Sequence, residues 1–175
     1  LLELNFSCPN VETGLIMGAD PTETARSVER LRPLTEKPLI VKLTPNATDP
    51  AAVAEAAEAA GADAVSLINT LRGMALDPRT GEPWLGAGSG GVSGPAVRAI
   101  ALAQLSAVCG RVSIPAVGMG GIANGRDARD FLAVGARCVA VGTESFRDPL
   151  AGRRIARELG AISRNERGFL PAPAP

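Results

Sequence analysis

Five short apolar runs alternate with five longer segments of helical spacing, and this alternation restricts the fold more than any other feature of the chain. The strands are expected at Leu1–Phe6, Pro38–Leu43, Ala64–Ile68, Ile114–Gly118 and Arg137–Gly142. PLIVKL (Pro38–Leu43) has the continuous apolar character of a strand buried on both faces. Helices are expected over Pro21–Arg32, Pro50–Ala60, Gly94–Val108, Gly125–Val134 and Ser145–Leu159. Asp20 and Asp49 stand where N-caps belong, each followed by a proline that the first helical position tolerates, and Gly61 ends the second helix. Thr70–Gly94 reads as a long loop with seven glycines and two prolines, too long for a mere connection.

Repeated βα units imply a parallel sheet, either open and doubly wound or closed as a (β/α)8 barrel. The barrel is favoured because polar or glycine-rich residues follow every strand: Asn5–Asn10, Lys42–Asn46, Asn69–Thr70, Gly118–Gly121 and Gly142–Glu144. Barrel active sites collect at that rim, whereas an open sheet concentrates such residues at one switch point. A full barrel takes roughly 200–250 residues. The 175 residues here open on Leu inside a strand, so an incomplete barrel of about strands four to eight is expected. Residues 1–160 would form part of one domain and 161–175 a disordered tail, whose end is rich in Pro and Ala.

Composition removes several functions. Lys plus Arg and Asp plus Glu are both 18, which gives no support to nucleic-acid or acidic-membrane binding. No charge- and glycine-free stretch of about 18 apolar residues spans a membrane, and LLELNFSCPN does not open like a signal peptide. Three widely spaced cysteines suit a reducing cytosol rather than a disulfide framework. With no His and no Tyr, proton chemistry within this sequence falls to Cys, Lys, Asp or Glu.

Two rim clusters carry the chemistry. GMGG (Gly118–Gly121) and VGT (Val141–Thr143) each end a strand before a helix start. Glycines there let backbone N–H groups approach a phosphate, and in barrels that site commonly lies between the loops after strands seven and eight. They could equally serve only to permit tight turns. In ELNFSCPN, Asn5 and Asn10 can read a planar polar ring, and Cys8 between them can accept a proton once its surroundings favour the thiolate. A small buried hydrophobe beside two turn-forming asparagines is the alternative. Cys109 and Cys138 read as packing residues, Trp84 as a loop anchor, Arg72 as solvent-exposed, and Arg153, Arg154 and Arg157 as a solvated helix face.

LNFSCPN (Leu4–Asn10) resembles the LN-x-SCPN signature of class 1 dihydroorotate dehydrogenases. VKLTPN (Val41–Asn46), INTLRGM (Ile68–Met74), GGVSGPA (Gly90–Ala96), GMGGI (Gly118–Ile122) and AVGT (Ala140–Thr143) resemble further motifs of that family, in the same order. INT followed by GGVSG is most similar to the class 1B catalytic subunit. The resemblance implies a (β/α)8 barrel carrying FMN that oxidises dihydroorotate to orotate in pyrimidine biosynthesis, in the cytoplasm. Cys8 would be the catalytic base, and Asn5, Asn10, Asn69 and Thr70 would hold the substrate. Lys42 would stand by the flavin's pyrimidine edge, and Ile68, Gly94, Gly120, Gly121, Gly142 and Thr143 would also contact FMN. Class 1B also implies a partner subunit with FAD and a 2Fe–2S cluster passing electrons to NAD, within a homodimer or heterotetramer; class 1A would imply fumarate as acceptor.

The nearest rival is the FMN domain of dihydropyrimidine dehydrogenase, which resembles SCPH and TNT where this chain has SCPN and INT. A second rival is an inactive barrel fragment, since exposed sheet edges are a liability. On that ground weak or no turnover is expected of residues 1–175 alone.

Overall fold

The computed structural model describes residues 1–6 and 17–165. Ser7, Cys8, Asn10 and the Leu170–Pro175 tail therefore lie outside the described residues. Five parallel strands form the main sheet: β1 (Leu2–Asn5), β2 (Leu39–Lys42), β3 (Ala64–Leu67), β6 (Ala116–Met119) and β7 (Cys138–Ala140), side by side in chain order. Asn5 pairs with Lys42, Lys42 with Ser66, Leu67 with Gly118 and Met119 with Ala140. A doubly wound sheet needs a reversal of strand order so that helices fall on both faces. Here the order never reverses.

The helices follow suit. They are α1 (Pro21–Leu31), α2 (Pro50–Ala59), α3 (Arg98–Cys109), α4 (Gly125–Ala133), α5 (Glu144–Arg147) and α6 (Ala151–Asn165). α1 packs on α2, α2 on α3, α3 on α4 and α4 on α6, a continuous layer. Along β2, Leu39 and Val41 are buried while Ile40 and Lys42 are only half-buried; along β6, Ala116 and Gly118 alternate in the same way with Val117 and Met119. One sheet face thus meets the helices and the other is open. This is a mixed α/β fold with a five-stranded parallel sheet, consistent with part of a barrel wall.

The core lies between sheet and helices and includes Val41, Val65, Leu67, Val53, Leu105 and Phe131, all at most 1% exposed. Phe131 reaches the sheet because β6 offers it Gly118: a Cβ at that glycine would stand 2.6 Å from the ring. Phe131→Ala is expected to cost about 3–5 kcal/mol of stability, read from urea unfolding. A loss below about 1 kcal/mol would mean that the ring is not the wedge between α4 and the sheet.

The caps behave as the sequence predicts. The Asp20 carboxylate accepts from the N–H groups of Thr22 and Glu23, and Asp49 from those of Ala51 and Ala52. Arg111 ties the start of α2 to the end of α3 through Asp49 and Glu55.

Three expectations need correction. The Thr70–Gly94 loop contains an antiparallel ribbon of β4 (Leu71–Gly73) and β5 (Gly90–Val92), extended by a bridge between Leu76 and Pro83. Glycine is required there, since a Cβ at Gly91 would stand 2.2 Å from the Thr70 hydroxyl. The third helix does not begin at Gly94, whose φ is 81°; a 3-10 turn over Pro95–Val97 precedes α3. Ser145–Leu159 is two helices, because Pro149 cannot donate to a continuing helix; the Asp148 carboxylate accepts from Leu150 N–H at 2.9 Å just before α6. α6 then runs to Asn165, beyond the boundary expected at residue 160.

Candidate functional site

Parallel pairing sends the C-terminal ends of all five strands to one rim of the sheet. At that rim a cavity of about 470 Å³ opens on the face that carries no helix among the described residues. That volume lies within the roughly 300–1,000 Å³ typical of small-molecule sites. Its wall includes Ile40 and Lys42 from β2, Val117 and Met119 from β6, and the turns Ile68–Thr70, Val92–Gly94, Gly120–Gly121 and Val141–Thr143. Glu3 from β1 also lines it and accepts from the Ser66 hydroxyl at 2.5 Å.

Asn69 is fixed from several directions. Its N–H donates to the Leu43 carbonyl at 3.1 Å, its amide donates to the Asn5 side chain at 3.3 Å, and its own oxygen accepts from Thr70 N–H at 2.8 Å. Asn46 braces the same turn from below, donating to the Thr70 carbonyl at 3.1 Å and accepting from Arg72 N–H at 2.9 Å. The β4–β5 ribbon is thereby anchored over the rim. On the other side the Thr143 hydroxyl donates to Ser93 at 2.9 Å, joining the turn after β7 to the end of the ribbon.

The glycine turns pack closely on one another. At Gly121, with φ 78°, a Cβ would stand 2.7 Å from the Gly94 carbonyl oxygen and 2.9 Å from the Arg98 Cβ. Gly142 differs: apart from its chain neighbours, no atom of the described residues lies within 4 Å of where its Cβ would be, and its φ is not in the left-handed region. Among the described residues, neither packing nor backbone conformation requires glycine there. Among the described residues none accepts a hydrogen bond from the backbone N–H of Gly120, Gly121, Gly142 or Thr143. All four residues line the cavity.

The helix starts that follow the two glycine turns differ from each other. The first N–H groups of α4 are already taken, Gly125 by Glu158 at 2.7 Å and Arg126 and Asp127 by Asn124. α5 is a single turn. Arg154 is not part of a solvated face: it is paired with Glu144, Asp148 and Glu158, while Arg153 and Arg157 are exposed as predicted. Cys109 packs against Gly135, and burial raises its thiol pKa. Cys138, expected to be a packing residue, is exposed because β7 stands at the edge of the sheet. Trp84 is 63% exposed and Arg72 is exposed.

Residues 1–162 match the family model of dihydroorotate dehydrogenase. The chain belongs to the dihydroorotate dehydrogenase family. It is 50% identical over 159 residues to the dihydroorotate dehydrogenase B (NAD(+)) catalytic subunit of Citrifermentans bemidjiense, covering 90% of this chain and 52% of that protein. The corresponding subunit of Pelobacter propionicus is 48% identical over the same length, with the same coverage. A dihydroorotate dehydrogenase A (fumarate) of Lacticaseibacillus paracasei is 46% identical over 166 residues, covering 94% of this chain and 57% of that protein. The chain thus spans about half the length of the curated relatives it matches.

Of the residues that the dihydroorotate dehydrogenase motifs single out, nine line the cavity: Lys42, Ile68, Asn69, Thr70, Gly94, Gly120, Gly121, Gly142 and Thr143. Asn5 joins them through Asn69. Cys8 and Asn10 lie outside the described residues. Ser93, Asn46 and Glu3 were not singled out from the sequence; all three stand within or beside those motifs, but their roles depend on partners far along the chain.

Proposed function

We propose that this sequence supplies about strands four to eight of an FMN-binding (β/α)8 barrel that oxidises dihydroorotate to orotate. The carrying observation is the single cavity in which nine residues from separate motifs meet, beside four backbone donors that have no partner among the described residues. The residues fit FMN. Gly120, Gly121, Gly142 and Thr143 would take its phosphate, and Gly94 and Ile68 would line its bed. Lys42, half-buried at the end of β2, would place a cation where reduced flavin carries negative charge. Bound there, FMN supplies the hydride acceptor.

The protein's own part is binding and proton removal. Asn69 and Asn5, tied together at the rim, would present amide groups to the substrate's ring and carboxylate, with Thr70 beside them. Asn10 would complete this set and Cys8 would accept the proton from carbon 5, both assigned by motif. The side-chain pairing of Asn69 to Asn5 and its backbone bond to Leu43 hold it in place before substrate arrives, so little ordering remains on binding.

Two signature positions, Asn10 and Ile68, support dihydroorotate over a dihydropyrimidine substrate. The relatives named B (NAD(+)) catalytic subunits support a partner that carries FAD and a 2Fe–2S cluster and delivers electrons to NAD. Fumarate is the second reading, favoured by the 46% identity to a fumarate-type enzyme. The expected setting is the cytoplasm; among the described residues no helix is long and apolar enough to cross a membrane.

The test is orotate affinity in the FMN-loaded full-length enzyme, measured by calorimetry. Asn69→Ala should weaken orotate by about 10–100-fold, because it strands polar ring atoms, while FMN retention is unchanged. Equal losses of orotate and FMN would mean that Asn69 supports the flavin bed instead. Failure of the unaltered enzyme to bind orotate would remove the proposed substrate.

A further inference from the structure

Arg154, near the start of α6, is where three segments meet. Its guanidinium lies 2.9 Å from Glu144, 2.9 Å from Asp148 and 3.1 Å from Glu158, and donates to the Ala123 carbonyl at 3.2 Å. Glu158 in turn accepts from Gly125 N–H, and the two residues are so close that a Cβ at Gly125 would stand 2.6 Å from the Glu158 Cβ. Ala123 belongs to the connection that begins with Gly120–Gly121, Gly125 opens α4 right after it, and Glu144 directly follows Gly142–Thr143. One side chain therefore ties the loop after β6 to the loop after β7.

The electrostatics point the same way. Three carboxylates converge here, and hydrogen bonding to Arg154 is the first cause holding Asp148 below the usual carboxylate range. Arg147 also reaches Glu144, at 2.7 Å, but its side chain is 78% exposed and such a pair contributes little. Without Arg154, Asp148 and Glu158 would lose their ion pairs, and Glu144 would keep only the exposed Arg147.

We propose that Arg154 positions the Gly120–Gly121 and Gly142–Thr143 turns for the flavin phosphate from outside the cavity, an inference that rests on the function proposed above. The fork-shaped guanidinium can satisfy four acceptor groups on three segments at once, which a single ammonium cannot. It holds the four free N–H groups in one register and keeps the carboxylates from repelling a dianion.

Riboflavin has the flavin ring without the phosphate, so comparing it with FMN isolates the turns. FMN and riboflavin affinities are measured by flavin fluorescence on the full-length apo-protein and its variants. The unaltered protein should prefer FMN; equal affinity for the two would remove the phosphate site itself, and the role of Arg154 with it. Arg154→Gln is expected to lower the FMN-to-riboflavin preference about tenfold with riboflavin affinity unchanged, the loss of charge-assisted hydrogen bonds that set the turns. Arg154→Lys should recover only part of it. A preserved preference, or equal weakening of both flavins, would overturn the positioning role. Should Arg154→Gln fail to fold, Glu144→Gln loosens the β7 side alone and is judged by the same ratio, an unchanged value again overturning the proposal.

Discussion

Cys8→Ser in the FMN-loaded full-length enzyme is expected to leave flavin binding intact and to slow flavin reduction by dihydroorotate by about 10²–10⁴-fold at neutral pH. The reason is basicity in the proton-accepting form. A free thiol titrates near about 8.5, so a thiolate is accessible around neutrality, whereas a hydroxyl gives up its proton only far above it. Residues 1–175 themselves hold no His or Tyr that could take over. Anaerobic stopped-flow absorbance gives the rate directly. Reduction in the variant at the unaltered rate would take Cys8 out of the proton-transfer step.

The second large effect separates glycines that serve the fold from those that serve a ligand. Gly121→Ala should cost about 2–5 kcal/mol of stability, combining a left-handed backbone with an overpacked contact. Its φ is 78°, and the added methyl would meet the Gly94 carbonyl oxygen at 2.7 Å. Gly142→Ala has no such neighbour, so its stability should stay within about 0.5 kcal/mol of the original. FMN affinity in Gly142→Ala should nevertheless fall about tenfold or more, because the methyl takes the space a phosphate approaches through. Thermal unfolding and flavin titration on both variants settle the contrast. Gly142→Ala binding FMN as tightly as the original protein would assign that glycine to the turn alone.

Much of this architecture is readable from local pattern. PLIVKL announces β2, and Asp20 and Asp49 announce α1 and α2, because capping and apolar runs are properties of a few adjacent residues. The β4–β5 ribbon is not readable in this way. Its strands are Leu71–Gly73 and Gly90–Val92, glycine-rich where β-propensity favours branched and aromatic residues. They are set instead by Asn46, which binds Arg72 from the end of a different strand.

The rim residues of the candidate site are legible because each sits directly after an apolar run, and parallel pairing does the rest. What feeds them is not. Whether a helix N-terminus is free for an anion depends on Glu158, remote in sequence from the Gly125 N–H that it occupies. Arg154 looks like one of three arginines on a helix face until the fold brings Glu144, Asp148 and Ala123 around it. Long-range polar contacts of this kind leave no periodic trace in a sequence.

The central claim is tested most directly by loading the full-length protein with FMN and following flavin absorbance without oxygen as dihydroorotate or dihydrouracil is added. Bleaching by dihydroorotate and not by dihydrouracil is the predicted result. Bound flavin that stays oxidised with dihydroorotate would contradict the assigned chemistry while leaving the flavin site standing.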